Sequence, residues 1–175
     1  MAGAPVNSVL LLGSREEALG FPRGELALAF CEGCGFIYNR AFDASQTEYS
    51  SRYEETQGYS GTFRSWHRAL AERLVERHDL RGKHVVEIGC GKGEFLTLLC
   101  ELGANRGLGF DPAWVPDRIP PPREGSVEFV QDFYTEAYAG HRADLVCCKM
   151  TLEHIPDVAD FVSMVRRSLS AEDDT

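Results

Sequence analysis

Apolar residues in the second half of the chain form short runs of strand length and longer stretches with helical spacing. The clearest short run covers residues 84–88, which are mostly apolar and β-branched, as in a strand covered on both faces. Residues 94–102 follow with helical spacing. Between them lie Gly89, Gly91 and Gly93, which allow backbone angles that a Cβ would hinder. We therefore predict a strand, a glycine-rich turn and a helix, which is the order of a nucleotide-type binding site.

Three more apolar runs predict further strands, and polar residues follow each of them. The runs cover residues 107–110, 127–130 and 143–148. Asp111 follows the first run, Asp132 follows the second, and residues 149–156 follow the third. Because parallel strands end at one edge of an open α/β sheet, we expect these polar residues to share one ligand site. Asp111 lies 24 residues after Glu87, where a carboxylate suits a ribose diol.

Two helices are predicted outside this pattern. Residues 63–77 are amphipathic, and their apolar stripe comprises Phe63, Trp66, Leu70 and Leu74. Residues 158–169 predict a last helix after the fourth strand.

The strand-end motifs resemble, in order, those of the class I S-adenosylmethionine (SAM)-dependent methyltransferases. They read E-I-G-C-G-K-G-E at 87–94, G-F-D-P at 109–112, Q-D-F at 131–133 and T-L-E-H-I-P-D at 151–157. The resemblance implies an α/β, Rossmann-like fold with a mostly parallel sheet and helices on both faces. It also implies seven strands. The sequence supplies four, so we expect the domain to be truncated after the fourth strand and its helix.

The resemblance implies SAM as the cofactor. It assigns SAM contacts to Tyr59, Glu87, Gly89, Cys90, Gly91, Gly93, Asp111, Pro112, Asp132, Phe133 and Lys149. The glycine turn departs from the G-x-G-x-x-G motif of dinucleotide-binding folds. Position 94, where that motif has its last glycine, is Glu. Glu87 suits the cationic groups of SAM and is unfavourable beside a pyrophosphate. We interpret the segment that holds Tyr49, Tyr53 and Tyr59 in two ways: it closes over bound SAM, or it is a solvated linker.

The segment after the fourth strand is where a methyl acceptor would meet the cofactor. Glu153 and His154 are an adjacent acid and imidazole there, and they are our candidate catalytic residues. Methyl transfer depends mainly on alignment, and a base is required only for an acceptor such as a carbon acid. In the alternative reading, His154 shapes the pocket and hydrogen-bonds backbone. The L-E-H-I motif itself does not report the acceptor.

Cys31 and Cys34 form a C-x-x-C-G motif in an amino-terminal segment that we place at residues 1–48, ahead of a SAM-binding domain at 49–175. The motif resembles half of the small zinc-binding domain that precedes some sugar C-methyltransferases. Residues 1–30 contain no Cys or His, whereas a structural zinc ion is bound by four ligands. We therefore expect well under one zinc per chain. The alternatives are a redox pair, or two ordinary thiols in a β-turn with packing by Phe30, Phe36 and Tyr38.

Composition narrows the class of protein. The chain has 175 residues, 43% hydrophobic, which suits one domain with a small appendage. A net charge of −9 argues against a nucleic-acid partner. No apolar run approaches the ~20 residues of a membrane span, and no basic region precedes the apolar amino-terminal residues as in a signal peptide. The six cysteines indicate free thiols or metal ligands more than a disulfide framework. We therefore expect a cytoplasmic protein.

Two functions follow. The first is SAM-dependent methyl transfer to a small molecule, for which the resemblance points to a carbon of a nucleotide-linked sugar. The second is a non-catalytic SAM-fold protein that binds a ligand or partner without turnover. The sequence leaves the oligomeric state open.

Overall fold

A computed structural model describes residues 2–6, 10–46 and 56–169 of the chain. The chain divides into two compact units, Met1–Glu54 and Glu55–Thr175. The domain boundary predicted between residues 48 and 49 lies outside the described residues, as do Tyr49 and Tyr53. No helix in the described part of the chain is long and apolar enough to cross a membrane.

The described part of the first unit contains two small antiparallel ribbons, a short α-helix and a 3-10 turn at Ala44–Gln46. Its elements are β1 (Ala2–Pro5), α1 (Arg15–Gly20), β2 (Arg23–Glu25), β3 (Leu28–Phe30) and β4 (Ile37–Asn39). β1 pairs with β2, and β3 pairs with β4. Ser14 begins α1, because its hydroxyl accepts a hydrogen bond from the N–H of Glu17. Asn39 fixes the end of the second ribbon, since its amide oxygen accepts from the N–H of Ala27 at 2.8 Å.

The second unit is an α/β sheet with helices on both faces. Its elements are α2 (Gly61–Arg77), β5 (His84–Ile88), α3 (Glu94–Gly103), β6 (Arg106–Phe110), β7 (Ser126–Val130), β8 (Leu145–Cys147) and α4 (Val158–Ser168). The four strands are parallel in the order β7-β6-β5-β8. This arrangement confirms the predicted fold class, and β5 has the predicted bounds.

Alternate residues of β5 face two separate cores, which explains why the strand is apolar throughout. Val85 packs in a core with residues of α2 and α3, including Leu96. Val86 and Ile88 pack in the other core, which includes Phe161 of α4. Glu87 is therefore carried towards α3 on the same face as Val85, which places a carboxyl group inside the protein.

Three details differ from the sequence predictions. The buried face of α2 is centred on His67, Ala71 and Val75, whereas Trp66 of the predicted stripe is half-exposed. β8 is shorter than the predicted run 143–148, and Ala143 instead bridges Leu169. The apolar run 143–148 predicts core positions for Cys147 and Cys148, but both are only half-buried. Since β8 is one of the two outer strands among the four described, its residues have a neighbouring strand of this sheet on one side only.

Candidate functional site

The carboxyl ends of the four strands meet at one edge, and the topology opens a crevice there. From β5 the chain proceeds outward to β6 and β7, and then returns to place β8 on the opposite side of β5. Such a switch point is where open α/β sheets bind ligands. The glycine turn after β5 and the segment after β8 face each other here, because a Cβ on Gly89 would overlap the side chain of Thr151.

The glycine turn owes its composition to backbone angles and close packing. Gly89, Gly91 and Gly93 have φ of +69°, +56° and +86°, which is the left-handed region. A Cβ on Gly93 would also overlap the ring of Phe129. The turn is held against β6, since the N–H groups of Gly89 and Cys90 both donate to the carbonyl of Phe110. α3 begins directly after it, so the turn lies at the positive end of a helix.

Asp111 ties the end of β6 to the glycine turn. Its Oδ2 accepts a hydrogen bond from the N–H of Gly91 at 2.8 Å, and its Oδ1 accepts one from the N–H of Ala113 at 2.8 Å. An ionised carboxylate has about four acceptor positions, so capacity remains for ligand hydroxyl groups. The ribose contact stays a prediction. The structure adds that Asp111 also fixes the turn.

Glu87 is almost fully enclosed, with 1% of its surface exposed. Its Oε2 accepts a hydrogen bond from the N–H of Leu96, in the first turn of α3, at 3.0 Å. Burial raises the pKa of Glu87 to about 7, while the charge of Lys149 and the Leu96 hydrogen bond act in the opposite direction. The structure therefore gives Glu87 a role in holding the start of α3. Its predicted direct contact with SAM is not tested.

Lys149, whose charge acts on Glu87, also belongs to a cluster with aromatic side chains of α2 and α3. The Nζ of Lys149 lies 5.3 Å from the ring centroid of Phe95, and the His67 ring stacks on Phe95 at 4.6 Å. The Nε2 of His67 is buried and has no hydrogen-bond partner among the residues that the structure describes. Burial, followed by the charge of Lys149, lowers the pKa of His67 and favours its neutral form. The apolar positions around residue 67 on α2 were the only sequence signal for its burial.

The segment before α2 contacts both sides of the crevice. The Thr56 hydroxyl donates to the carboxylate of Glu94 at the start of α3. The Gln57 amide lies 4.0 Å from the sulfur of Met150, after β8. Tyr59 is largely exposed, and the Nζ of Lys92 lies 5.9 Å from its ring centroid. These contacts place Tyr59 beside the glycine turn, and its contact with SAM stays a prediction.

The resemblance predicts that Asp132 and Phe133, which follow β7, border the adenine of SAM through a polar contact and an apolar wall. Asp132 accepts hydrogen bonds from the N–H of Phe133 and from the hydroxyl of Tyr138, both at 2.8 Å. The hydrogen bond to Asp132 raises the pKa of Tyr138. Phe133 is 55% exposed. Both residues lie at the strand-end edge, and their adenine contacts stay predictions.

Sequence reasoning missed an aromatic pair beside the glycine turn. The rings of Trp114 and Phe129 stack at 5.1 Å with 20° between their planes. Gly109 is paired with Phe129 across β6 and β7, and a Cβ there would lie 2.7 Å from the Phe129 ring. A glycine opposite an aromatic residue in a parallel sheet was the available signal. Pro112 lies in the same loop and is half-buried.

Glu153 and His154 lie in a single 3-10 turn, Leu152–His154, after β8. Both side chains are exposed at this edge, and the N–H of His154 donates to the carbonyl of Thr151 at 2.9 Å. They are therefore accessible to a small molecule in the crevice. Their roles in proton transfer stay predictions.

The charges at the strand ends favour a cationic ligand. Carboxyl groups outnumber ammonium groups there: Glu87, Glu94, Asp111, Asp132 and Glu153 stand against Lys92 and Lys149. SAM carries an ammonium and a sulfonium, which this set of donors and acceptors fits. A pyrophosphate would be repelled by the same carboxylates.

The C-x-x-C motif lies in the turn between β3 and β4. The N–H of Cys31 donates to the carbonyl of Phe36, and the N–H of Gly35 donates to the carbonyl of Cys31, both at 2.8 Å. Phe30, Phe36 and Tyr38 were expected to pack around the turn, but all three are exposed. The described residues hold no group of three or more side chains placed to bind a metal. Two thiols do not fit a structural zinc site, so we derive no metal centre from them.

Comparison with known proteins agrees with this geometry. A methyltransferase-domain family model matches residues 60–173. A ubiquinone biosynthesis O-methyltransferase of Salmonella arizonae is 36% identical over 107 residues, which cover 55% of this chain and 44% of that relative. The proteins of the same name from Salmonella newport and Salmonella typhimurium are 35% identical over 106 residues, again covering 55% of this chain and 44% of the relative.

The chain thus spans 44% of the length of these curated relatives. The relatives are named for methyl transfer to oxygen, and they do not support the finer resemblance to sugar C-methyltransferases. The family match extends over α2, the sheet and α4. Together with the parallel sheet and the glycine turn, it shows that the chain belongs to the methyltransferase-domain family and has the Rossmann-like fold of class I SAM-dependent methyltransferases.

Proposed function

We propose that this protein binds SAM at the crevice and transfers its methyl group to a small molecule. The observation that carries the proposal is the glycine turn held by Asp111 at the carboxyl edge of the sheet, in a chain of this family. Carboxylates around the turn complement the positive charges of SAM.

The residues of the chain would contribute alignment more than bond chemistry. SAM supplies a methyl group that its sulfonium already activates. The glycine turn lies at the start of α3, where the absence of Cβ atoms lets a ligand approach the backbone, and the spare acceptor capacity of Asp111 suits ribose hydroxyls. Thr56 and Gln57 contact the two sides of the crevice. Holding the two reactants in line accounts for much of the acceleration in such a transfer.

Direct binding measurements test the cofactor. Isothermal titration should detect SAM binding, with NAD binding more weakly. Asp111→Ala should weaken SAM binding by about 1–3 kcal/mol, because a hydrogen-bonded carboxylate is lost. Glu128→Ala is the matched control, since Glu128 is an exposed carboxylate on the outer strand β7. Equal SAM affinity in the Asp111 and Glu128 variants would refute the proposed site.

The acceptor atom is the second part of the proposal. The relatives' name suggests an oxygen, whereas the C-x-x-C segment favours a carbon of a nucleotide-linked sugar. A carbon next to a carbonyl must lose a proton, so a base within hydrogen-bond reach is required. His154 and Glu153 are exposed at the strand-end edge of the sheet, where that proton would be removed.

His154→Ala separates the two acceptor classes when methyl transfer from labelled SAM is measured. With a carbon acceptor, turnover should fall by about 10²-fold or more while SAM affinity is retained. With an oxygen acceptor that ionises readily, the loss should be smaller and lie mainly in the acceptor KM. Full activity in His154→Ala would remove this residue from the mechanism. SAM binding with no transfer to either class would favour a protein that binds without turnover.

A further inference from the structure

The imidazole of His67 lies in an aromatic cluster where α2 meets the start of α3. Its ring stacks on Phe95 at 4.6 Å between centroids, and the ring of Phe63 lies 5.0 Å away. His67 is 8% exposed, and its Nε2 has no hydrogen-bond partner in the described part of the chain. The aromatic contacts hold the imidazole but give this atom no hydrogen bond. A buried polar atom in this state is unfavourable, and a hydrogen bond to a bound ligand would remove that cost.

Lys149 brings a positive charge to the same cluster. Its Nζ lies 5.3 Å from the centroid of the Phe95 ring, on which His67 stacks. Residues 2–6, 10–46 and 56–169 supply this Nζ with neither an ion pair nor a hydrogen bond. Lys149 belongs to the segment after β8, so it lies at the strand-end edge of the sheet. One aromatic ring is therefore in contact with an imidazole and with an ammonium that has no counter-ion.

The charges around His67 decide which ligand group suits its Nε2. Burial, followed by the positive charge of Lys149, lowers the pKa of His67 and favours its neutral form. A neutral imidazole can still donate one hydrogen bond from a ring nitrogen. A ligand cation here would be repelled by Lys149. An anionic oxygen would be attracted by the ammonium and could accept a hydrogen bond from the imidazole.

Two carboxyl groups near this pair are already engaged. Glu94, whose charge also acts on His67, accepts a hydrogen bond from the hydroxyl of Thr56. Glu87 lies close enough for the charge of Lys149 to act on it, but burial raises the pKa of Glu87 to about 7. A large share of Glu87 is therefore protonated at neutral pH. It competes only weakly with a ligand anion for the ammonium.

We propose that His67 and Lys149 form a subsite for a carboxylate group of a bound ligand, in which both side chains donate hydrogen bonds to its oxygens. The inference rests on the proposed function, because these residues lie at the proposed SAM crevice. SAM carries a carboxylate besides its ammonium and sulfonium, and the strand-end acids suit only the two cations. The methyl acceptor is the other source of a carboxylate. Such a subsite accounts for a histidine on the buried face that α2 otherwise forms with Ala71 and Val75.

Decarboxylated SAM tests the cofactor as the source of the carboxylate. Isothermal titration of the full chain would compare SAM with decarboxylated SAM in the wild type, His67→Phe and Lys149→Met. If the cofactor is the source, each substitution should weaken SAM binding by about 10- to 100-fold and the binding of decarboxylated SAM much less. His67→Gln and Lys149→Arg keep a donor and should recover part of the affinity. His78→Phe is the matched control, since His78 is exposed at the other end of α2.

Benzoate tests the methyl acceptor as the source of the carboxylate. The protein would first be saturated with S-adenosylhomocysteine, the demethylated product of SAM, so that the cofactor site is filled. If the acceptor is the source, SAM affinity should be retained in His67→Phe and Lys149→Met. Benzoate should then bind the wild-type complex about tenfold or more tightly than either variant complex. Benzamide, the neutral analogue, should bind all three complexes equally.

Two results would overturn the proposal. One is unchanged binding of SAM and of benzoate in His67→Phe and Lys149→Met. The other is an equal loss of affinity for SAM and decarboxylated SAM, which would give His67 a purely structural role between α2 and α3. Urea unfolding accompanies the titrations. His67→Phe keeps the aromatic contacts, so its unfolding midpoint should be no lower than that of the wild type.

Failure of the proposed function would be recognised separately. A wild-type chain that binds neither SAM nor decarboxylated SAM would refute the SAM site. Benzoate titration without S-adenosylhomocysteine would still test the subsite in that case, because it compares the wild type with His67→Phe and Lys149→Met for a carboxylate alone.

Discussion

Glu87 illustrates how a single residue can serve both the fold and the site. It is a carboxyl group inside the sheet domain, hydrogen-bonded to the first turn of α3. A carboxylate at that position is favoured by the helix dipole and disfavoured by burial. Burial has the larger effect and raises the pKa of Glu87 to about 7. Its charge state therefore changes near neutral pH, where a cationic ligand would favour the ionised form.

The raised pKa of Glu87 predicts a particular pH dependence of stability. The folded state holds this proton more tightly than the unfolded state, whose pKa is near 4.5. The stabilisation is complete below pH 4.5 and is lost as the pH rises to about 7. Glu87→Gln removes this titrating group and therefore does not lose that stabilisation. Between pH 4.5 and about 7, its free energy of unfolding should increase relative to that of the wild type by up to about 3 kcal/mol.

Denaturant unfolding at pH 5 and pH 8 measures this difference. Tryptophan fluorescence is a suitable probe, since Trp66 and Trp114 both lie in the sheet unit. Glu128→Gln, at an exposed position, should show the wild-type pH dependence. The same pH dependence in Glu87→Gln as in the wild type would show that Glu87 titrates normally.

The strand-end acids could be predicted from sequence as residues, but their partners could not. Glu87 and Asp111 stand out because each ends or follows an apolar run. Their hydrogen bonds to the N–H groups of Leu96 and Gly91 depend on how the turn folds back. Backbone donors have no sequence signal, since every residue except proline has one. The burial of His67 was missed for a related reason, because a polar residue does not add to a hydrophobic pattern.

At the scale of elements, prediction succeeded where the hydrophobic pattern was long enough. β5 and α3 contain five and ten residues, and both were located closely. β2, β3 and β4 have three residues each, which are too few positions to distinguish a period of two from chance. The buried face of α2 differs from the predicted one, because Trp66 is large and apolar and yet half-exposed. Packing against α3, which the sequence of α2 does not encode locally, decides which stripe is buried.

The glycine turn gives an element-scale prediction. Gly93→Ala should reduce the free energy of unfolding by about 2–4 kcal/mol, which combines left-handed strain with overlap of the Phe129 ring. Gly140→Ala is the matched control in the same unit, because a Cβ at position 140 meets no atom within 4 Å. It should change stability by no more than about 1 kcal/mol. Equal effects of the two substitutions in urea unfolding would contradict the assigned turn geometry.

At the scale of the whole molecule, the two units carry different chemistry. The described SAM-site candidates all lie in Glu55–Thr175, whereas Cys31 and Cys34 lie in Met1–Glu54. The net charge of −9 suits a protein whose proposed ligand is a cation. The family match, over residues 60–173, likewise falls within the second unit.

This division predicts where ligand binding stabilises the chain. A ligand that binds only the folded state stabilises it by about 2.7 kcal/mol at a free concentration of 100 Kd. With SAM at that ratio, amide hydrogen exchange should slow by up to about 100-fold in peptides that cover residues 84–96 and 107–113. NAD at the same concentration is the control, and it should slow exchange much less, because the strand-end carboxylates repel its pyrophosphate. SAM-dependent protection confined to residues 10–46 would contradict the proposed site, since none of the strand-end carboxylates lies there.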